Sequence, residues 1–141
     1  MHYIAKFAPD DGGLLVTFPA VPEAITGGAD EAEAIANAID ALEVALLTYA
    51  KDGLPLPVPT SKRPAADERA IVPSAATAAK LAFITAFAES RLTRVALAAQ
   101  LGKAEGEVRR MLDPYHATKL PALEAGLRAL GKRLVVTVEA A

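Results

Sequence analysis

The first thirty residues of the chain are arranged as short β-prone runs separated by turn residues. Runs at 2–8 and 13–19 flank a Pro-Asp-Asp-Gly-Gly segment, which supplies turn chemistry and a positive φ. This arrangement predicts a β-hairpin. Pro22 and the glycine pair at 27–28 leave room for only a brief third strand at 24–26.

Beyond this point apolar residues recur at steps of three and four, the period of an amphipathic helix. Asp30 is a suitable N-cap and Gly53 a suitable stop, so we expect one helix between them. Four prolines within 53–64 predict a stiff extended connector, and 69–74 then offers a last short strand. The stripe expected to cover one face of the sheet consists of Ile35, Ala38, Ile39, Leu42, Leu46 and Tyr49.

The second half of the chain has helical periodicity almost throughout. Ser74 and Thr93 are suitable N-caps, and Leu81, Ile84 and Phe87 are expected to point inward. The expected helices are 75–91, 94–101, one from the turn at Gly102 to about 112, and 121–130.

The β-branched alternation at 134–138 predicts a terminal β-strand, which has no partner among helices and would pair with another chain or with the first domain. The fold class is therefore α+β. A β-β-β-α-β domain at 1–73 precedes an all-α domain with a terminal strand at 74–141.

Residues 97–113 have the pattern of a helix-turn-helix. Ala98 lies midway in the first helix, Gly102 at the turn and Val108 within the second helix. In spacing and residue type this resembles the helix-turn-helix of bacterial and phage repressors, in which small residues allow a steep helix crossing. The alternative is an ordinary helical hairpin whose arginines are merely solvated. The remaining apolar positions of the unit are Leu97, Leu101 and Met111.

On the DNA-binding interpretation, the groove-facing side of the second helix carries the candidate base contacts. An arginine can bind guanine through two hydrogen bonds, and Glu105 could accept from cytosine, each contact giving about 1–3 kcal/mol of discrimination. Two features weaken this helix, because Ala104 replaces a capping residue and Gly106 lowers helix propensity. The candidate base-facing residues are Ala104, Glu105, Gly106, Arg109 and Arg110, and the candidate phosphate contacts are Arg94, Lys103, His116 and Lys119.

Charge is distributed unevenly along the chain. Residues 1–60 carry two basic and nine acidic side chains, a net charge of −7, whereas 61–141 carry 13 basic and 8 acidic side chains, a net charge of +5. This asymmetry suggests two modules, the basic one suited to nucleic acid and the acidic one to a cationic partner. Chance sorting of surface charge would give the same pattern.

Composition argues against several classes of function. The chain has no cysteine, which excludes disulfide and thiolate chemistry and suits a cytoplasmic location. No apolar run reaches the roughly 18–20 residues that span a bilayer, so we expect no membrane association. A nuclease would need converging carboxylates, but Asp10 and Asp11 lie in a turn and the predicted strands beside it are free of acids. His2 and His116 have no nucleophile arranged around them. We expect neither enzymatic activity nor a metal or cofactor.

The first domain combines an aromatic strand, a glycine turn, a strand ending in Phe-Pro, a Thr-Gly-Gly segment and an alanine-rich helix. In this combination it is similar to the N-terminal domain of HicB-family antitoxins. The segment "AVPEA" departs from the family pattern, which affects only the details of that loop. The matching residues are Tyr3, Asp11, Gly12, Gly13, Val16, Phe18, Pro19, Pro22, Thr26, Gly27, Glu33, Ala34, Ala38, Ala41 and Leu42.

Some members of that family carry a helix-turn-helix after this domain, so the resemblance extends over nearly the whole chain. It implies a partial RNase H-like first domain that neutralises a small, basic, mRNA-cleaving toxin of the HicA type. It also implies a second domain that represses the operon by binding operator DNA. A helix-turn-helix reads two half-sites, so we expect a homodimer or tetramer formed through the second domain. The competing hypothesis is a one-component repressor whose first domain senses a small molecule.

Overall fold

The computed structural model describes residues 1–140, which form two compact units, the first comprising Met1–Ala78 and the second the described residues from Ala79 onward. The fold is α+β, as predicted. The elements are β1 (Tyr3–Asp10), β2 (Gly13–Thr17), β3 (Ile25–Gly28), α1 (Glu31–Lys51), β4 (Glu68–Ile71), α2 (Ala75–Ser90), α3 (Arg94–Leu101), α4 (Glu105–Leu112) and α5 (Leu120–Ala129).

The first unit contains a four-stranded antiparallel sheet in the order β3-β2-β1-β4. Asp11 and Gly12 both have positive φ, which turns β1 directly into β2 and pairs Phe7 with Val16. The chain returns after α1 to place β4 on the other side of β1. The predicted β-β-β-α-β order is confirmed, and β3 lies at one edge of the sheet.

Helix α1 begins where the sequence predicts, because the Asp30 carboxylate accepts the backbone N–H of Glu33 at 2.9 Å. Its buried face differs in part from the predicted stripe, since Ile35, Ile39 and Tyr49 are only half-buried. Small residues bring the helix close to β3: a Cβ on Gly28 would lie 2.4 Å from the backbone nitrogen of Ala34. The fully packed face of α1 consists of Ala34, Ala38, Leu42, Ala45 and Leu46.

The segment between α1 and β4 has no regular secondary structure over most of its length, as its prolines predict. It is nevertheless attached to the first unit. The Tyr3 hydroxyl donates to the Pro57 carbonyl at 2.7 Å, and the Thr60 N–H donates to the His2 carbonyl at 3.0 Å. The connector is therefore part of that unit's folded surface.

The second unit is a cluster of helices around an aliphatic core with one central aromatic ring. That ring belongs to Phe83, which is fully buried. Of the three residues predicted to point inward, Leu81 is buried, whereas Ile84 and Phe87 are only half-buried. Leu134 packs against the core from beyond α5. The core residues are Ala79, Phe83, Ala86, Leu97, Ala98, Val108, Met111, Leu123 and Leu127.

The predicted terminal strand at 134–138 is not formed in the single chain. Residues 132–140 have no regular secondary structure, and Val135, Val136 and Val138 are exposed. The physical reason is that a strand needs a neighbouring strand for its backbone hydrogen bonds, and the second unit consists only of helices over the residues described.

Candidate nucleic-acid interface

Helices α3 and α4 are joined by a short turn built on Gly102. The Thr93 hydroxyl accepts the Ala96 N–H at 3.0 Å and caps the start of α3. Gly102 then adopts the left-handed conformation, with φ 63° and ψ 33°, and the Lys103 N–H donates to the Ala98 carbonyl at 3.0 Å. Glycine takes this conformation without a Cβ penalty, so the chain turns sharply and begins α4 at Glu105.

Small and medium apolar side chains fill the contact between these two helices. Ala98 and Leu97 of α3 are buried together with Val108 and Met111 of α4 in the same core. The alanine and the β-branched valine allow the backbones to approach closely. The predicted helix, turn and second helix are therefore present as a tight pair, a geometry that suits a DNA-reading unit and a plain helical hairpin alike.

A buried lysine of α2 holds the C-terminus of α4. Lys80 is only 4% exposed, and its ammonium donates to the Thr118 hydroxyl at 2.6 Å, to the Met111 carbonyl at 2.7 Å and to the Arg110 carbonyl at 3.4 Å. These carbonyls belong to the last turn of the helix, where a cation is favoured by the helix dipole. Burial lowers the pKa of Lys80, and the nearby Asp113 opposes this shift.

Sequence reasoning missed Lys80. The available signal was a single charged residue inside the otherwise apolar run from 78 to 84. A charged side chain at a core position of a helix requires partners, because an unpaired buried ammonium is strongly unfavourable.

The start of α4 carries a charged cluster centred on Glu105. One of its carboxylate oxygens forms an ion pair with the Arg94 Nε at 3.2 Å, and the other accepts a hydrogen bond from an Arg109 Nη at 2.5 Å. The hydrogen bond from Arg109 is the main cause that lowers the pKa of Glu105 and raises the pKa of Arg109. Both oxygens of Glu105 are thus occupied by the protein's own arginines, which leaves it less available as a base contact than the sequence suggests.

The other candidate residues differ in how strongly they are held. Lys103 lies 3.6 Å from the Glu107 carboxylate, and the His116 Nδ1 lies 3.2 Å from the Thr118 hydroxyl. Arg110 and Lys119 are exposed, and over residues 1–140 neither makes a salt bridge. Arg110 is therefore the more available of the two adjacent arginines of α4.

Ala104 and Gly106 give the first turn of α4 little side-chain bulk. Ala104 is the N-cap residue and provides no side-chain hydrogen bond. A Cβ added to Gly106 would meet only the Arg110 guanidinium, at 3.9 Å. The backbone of this turn can therefore be approached closely from outside.

The part of the chain that the structure describes contains no group of three or more side chains suited to holding a metal ion. Likewise, no helix within it combines the length and apolar character needed to cross a membrane.

Comparison with known proteins gives one consistent result. Residues 2–82 match a family described as "HicB_like antitoxin of bacterial toxin-antitoxin system". Antitoxin HicB 2 of Photorhabdus laumondii is 39% identical over 134 residues, covering 95% of this chain and 94% of that protein. Antitoxin HicB of Escherichia coli K12 is 37% identical over 137 residues, covering 95% and 96%. Antitoxin HicB of Pseudomonas fluorescens is 32% identical over 140 residues, covering 99% and 95%.

Proposed function

The chain belongs to the HicB-like antitoxin family, and from this membership we propose that it neutralises a HicA-type mRNA-cleaving toxin and represses its own operon. It is an antitoxin and not an enzyme. The observation that carries the proposal is that the similarity to named antitoxins extends over nearly the full length of both chains, so it includes the helical unit. We assign toxin binding to the domain at 1–73 and operator binding to the domain at 74–141.

The operator-binding half of the proposal is supported by the side chains that α4 exposes. Arg110 is exposed and makes no salt bridge within residues 1–140, which leaves its guanidinium able to bind a guanine edge. Arg109 is held by Glu105 and can reach the same groove with its remaining donors. The small first turn at Ala104 and Gly106 permits close approach to DNA. Arg94, Lys103, His116 and Lys119 are proposed to contact phosphates.

Operator binding is tested with the full chain and a labelled DNA fragment from upstream of its operon, by fluorescence anisotropy. Arg109→Ala and Arg110→Ala are each expected to weaken operator binding about 5- to 150-fold per half-site, since each removes contacts worth about 1–3 kcal/mol. Toxin neutralisation should be unchanged in both. Arg128→Ala, in the last turn of α5, is the matched control. Unchanged operator affinity in both α4 variants would favour the plain helical hairpin.

Two copies of the chain are needed to read two half-sites. The segment at 134–138 supports this part of the proposal, because Val135, Val136 and Val138 are exposed and its backbone, unpaired in the single chain, can pair with the same segment of a second copy. We expect light scattering at micromolar concentration to give the mass of a dimer or tetramer. Truncation after Leu134, which keeps the side chain that packs against the helical core, should shift the mass to that of a monomer, and a monomeric intact chain would contradict the proposal.

Toxin neutralisation is tested with the small protein encoded next to this chain's reading frame. Its expression alone should arrest growth and cleave mRNA, and co-expression of the full chain should restore growth and prevent the cleavage. The acidic character of residues 1–60 supports a basic partner. Absence of such a toxin, or arrest that the full chain does not relieve, would count against this half of the proposal.

A further inference from the structure

The first unit has an open groove between the sheet-edge strand β3 and helix α1. Its volume is about 660 Å³, and all of its lining residues come from the segment 23–54. The Asn37 side chain donates to the Gly27 carbonyl at 2.7 Å and ties the helix to the strand at one side of the groove. The groove is therefore formed by two elements that are firmly connected within one unit.

The charged residues that line the groove are all acidic. Three carboxylates line it, from Glu23, Asp40 and Asp52, and no Lys, Arg or His is among its lining residues. Glu23 accepts a hydrogen bond at 2.8 Å from the hydroxyl of Tyr49, which also lines the groove. Three negative charges on one concave surface attract a cationic partner and disfavour nucleic acid.

Between these carboxylates the groove exposes large apolar side chains. Ile25 is 62% exposed, Val44 66% and Leu54 54%. On helix α1 Val44 points away from the packed face that covers the sheet, so its exposure is not needed to build the core. Clustered exposed apolar residues with a charged border are typical of a protein-binding surface.

We propose that this groove, lined by Glu23, Ile25, Asp40, Val44, Asp52 and Leu54, is the docking surface for a basic protein, the toxin of the proposed function. The partner places apolar side chains against Ile25, Val44 and Leu54. Its flanking Lys or Arg side chains face the three carboxylates. The inference rests on toxin neutralisation as proposed above and names the surface that performs it.

A protein fits this site better than a small molecule does. Pockets for small ligands enclose most of the ligand surface, roughly 70–90% of it. Here three apolar lining side chains are each more than half exposed, so a small ligand would remain largely in water. A protein surface covers such residues from outside and excludes solvent from them.

The test measures binding of the full chain to the purified toxin encoded beside it, by isothermal titration calorimetry. Val44→Arg and Asp40→Lys are each expected to weaken binding at least about tenfold, because they place a cation in the centre or on the border of the interface. Val58→Arg and Asp10→Lys are the matched controls, since both residues are exposed, lie outside the groove and undergo the same change. These controls should bind like the wild-type chain.

Salt dependence provides a second readout. Raising NaCl from about 0.1 M to about 0.5 M should weaken wild-type binding, because shorter screening lengths reduce the attraction between exposed charges. The Asp40→Lys chain should respond less to salt. Circular dichroism melts establish that each variant is folded as the wild type is.

The outcomes separate the two proposals. If the wild-type chain does not bind the toxin, toxin neutralisation itself is wrong. If the wild-type chain binds and folded Val44→Arg and Asp40→Lys bind equally well, the groove is not the docking surface, although toxin neutralisation stands. Equal losses in the control variants would also overturn the groove assignment, since they would show a general charge effect. Tight binding of a small metabolite with no effect on toxin affinity would contradict the choice of occupant.

Discussion

Replacing Lys80 by Met tests how α4 is held in the second unit. Methionine keeps most of the length and apolar stem of lysine but removes the ammonium that donates to Thr118, Met111 and Arg110. Two of these hydrogen bonds are short, at 2.6 and 2.7 Å, and the third is weak at 3.4 Å. The variant therefore loses two strong charge-assisted hydrogen bonds and leaves helix-terminal carbonyls without a donor.

The expected loss of stability follows from two opposing contributions. Hydrogen bonds that involve a charged group contribute about 1.5–3 kcal/mol each, or about 3–6 kcal/mol for the two short ones. The variant also removes the unfavourable desolvation of a buried ammonium, which offsets part of this loss. We expect a net loss of about 2–3 kcal/mol, which lowers the Tm of a unit of this size by roughly 10–20 °C. Because α4 carries the proposed base contacts, operator affinity should fall as well.

The assay is thermal and urea unfolding of the full chain, followed by circular dichroism, with Lys132→Met as the control. Lys132 is exposed beyond α5, so its replacement removes the same charge without a buried hydrogen bond. Lys80→Met stability equal to or above that of the wild type would refute the reasoning, because desolvation would then outweigh the hydrogen bonds. Reduced stability without reduced operator affinity would show that Lys80 stabilises the unit but does not position α4 for DNA binding.

The pH dependence provides an independent check on the same lysine. Burial lowers the pKa of Lys80 below its ordinary value of 10.5. Between the lowered pKa and 10.5 the unfolded chain binds more protons than the folded chain, so this group makes stability rise with pH across that interval. The difference in stability between wild type and Lys80→Met should therefore increase as pH rises through it. A decrease would contradict the direction of the pKa shift.

Two further predictions concern glycines and a buried carboxylate. A Cβ at position 126 would lie 2.5 Å from the Phe83 ring and 3.1 Å from Met111. Overpacking of a core costs about 1–3 kcal/mol, whereas replacing glycine by alanine within a helix gains about 1 kcal/mol of helix propensity. Gly126→Ala should therefore reduce the Tm of the second unit. Gly106→Ala, at an open helical position, should instead raise the Tm, and a rise for both variants would contradict the packing argument. In the first unit the Ala65 N–H donates a hydrogen bond to the Glu68 carboxylate at 2.9 Å, and this hydrogen bond is the main cause that lowers the pKa of Glu68. The ionised Glu68 carboxylate contributes its full stabilisation above the ordinary pKa of 4.5, and this contribution is lost as pH falls through the lowered pKa. Glu68→Gln should therefore make the free energy of unfolding less dependent on pH in acid. An unchanged pH dependence would count against the shift.

The sequence by itself determined the features that depend on local interactions. Asp30 and Thr93 cap their helices through hydrogen bonds to residues three positions later, so a short segment contains both partners. Gly102 ends α3 because a single residue without a Cβ can adopt positive φ there. The order of strands and helices followed from such signals and from hydrophobic period. The antitoxin family was identified from motifs that are contiguous in the chain.

Only the tertiary structure decided which side chains meet across distant segments. Lys80 reaches residues about thirty positions away, Phe83 rather than Phe87 occupies the centre of the helical core, and Glu105 is shared between two arginines. The groove between β3 and α1 likewise depends on how closely a helix packs against the edge of a sheet. The terminal segment at 134–138 has the composition of a strand but forms none in the single chain. The physical reason is common to all of these: periodicity and propensity describe one segment at a time, whereas burial, ion pairing and strand formation require a partner that only the folded chain, or a second copy, brings into contact.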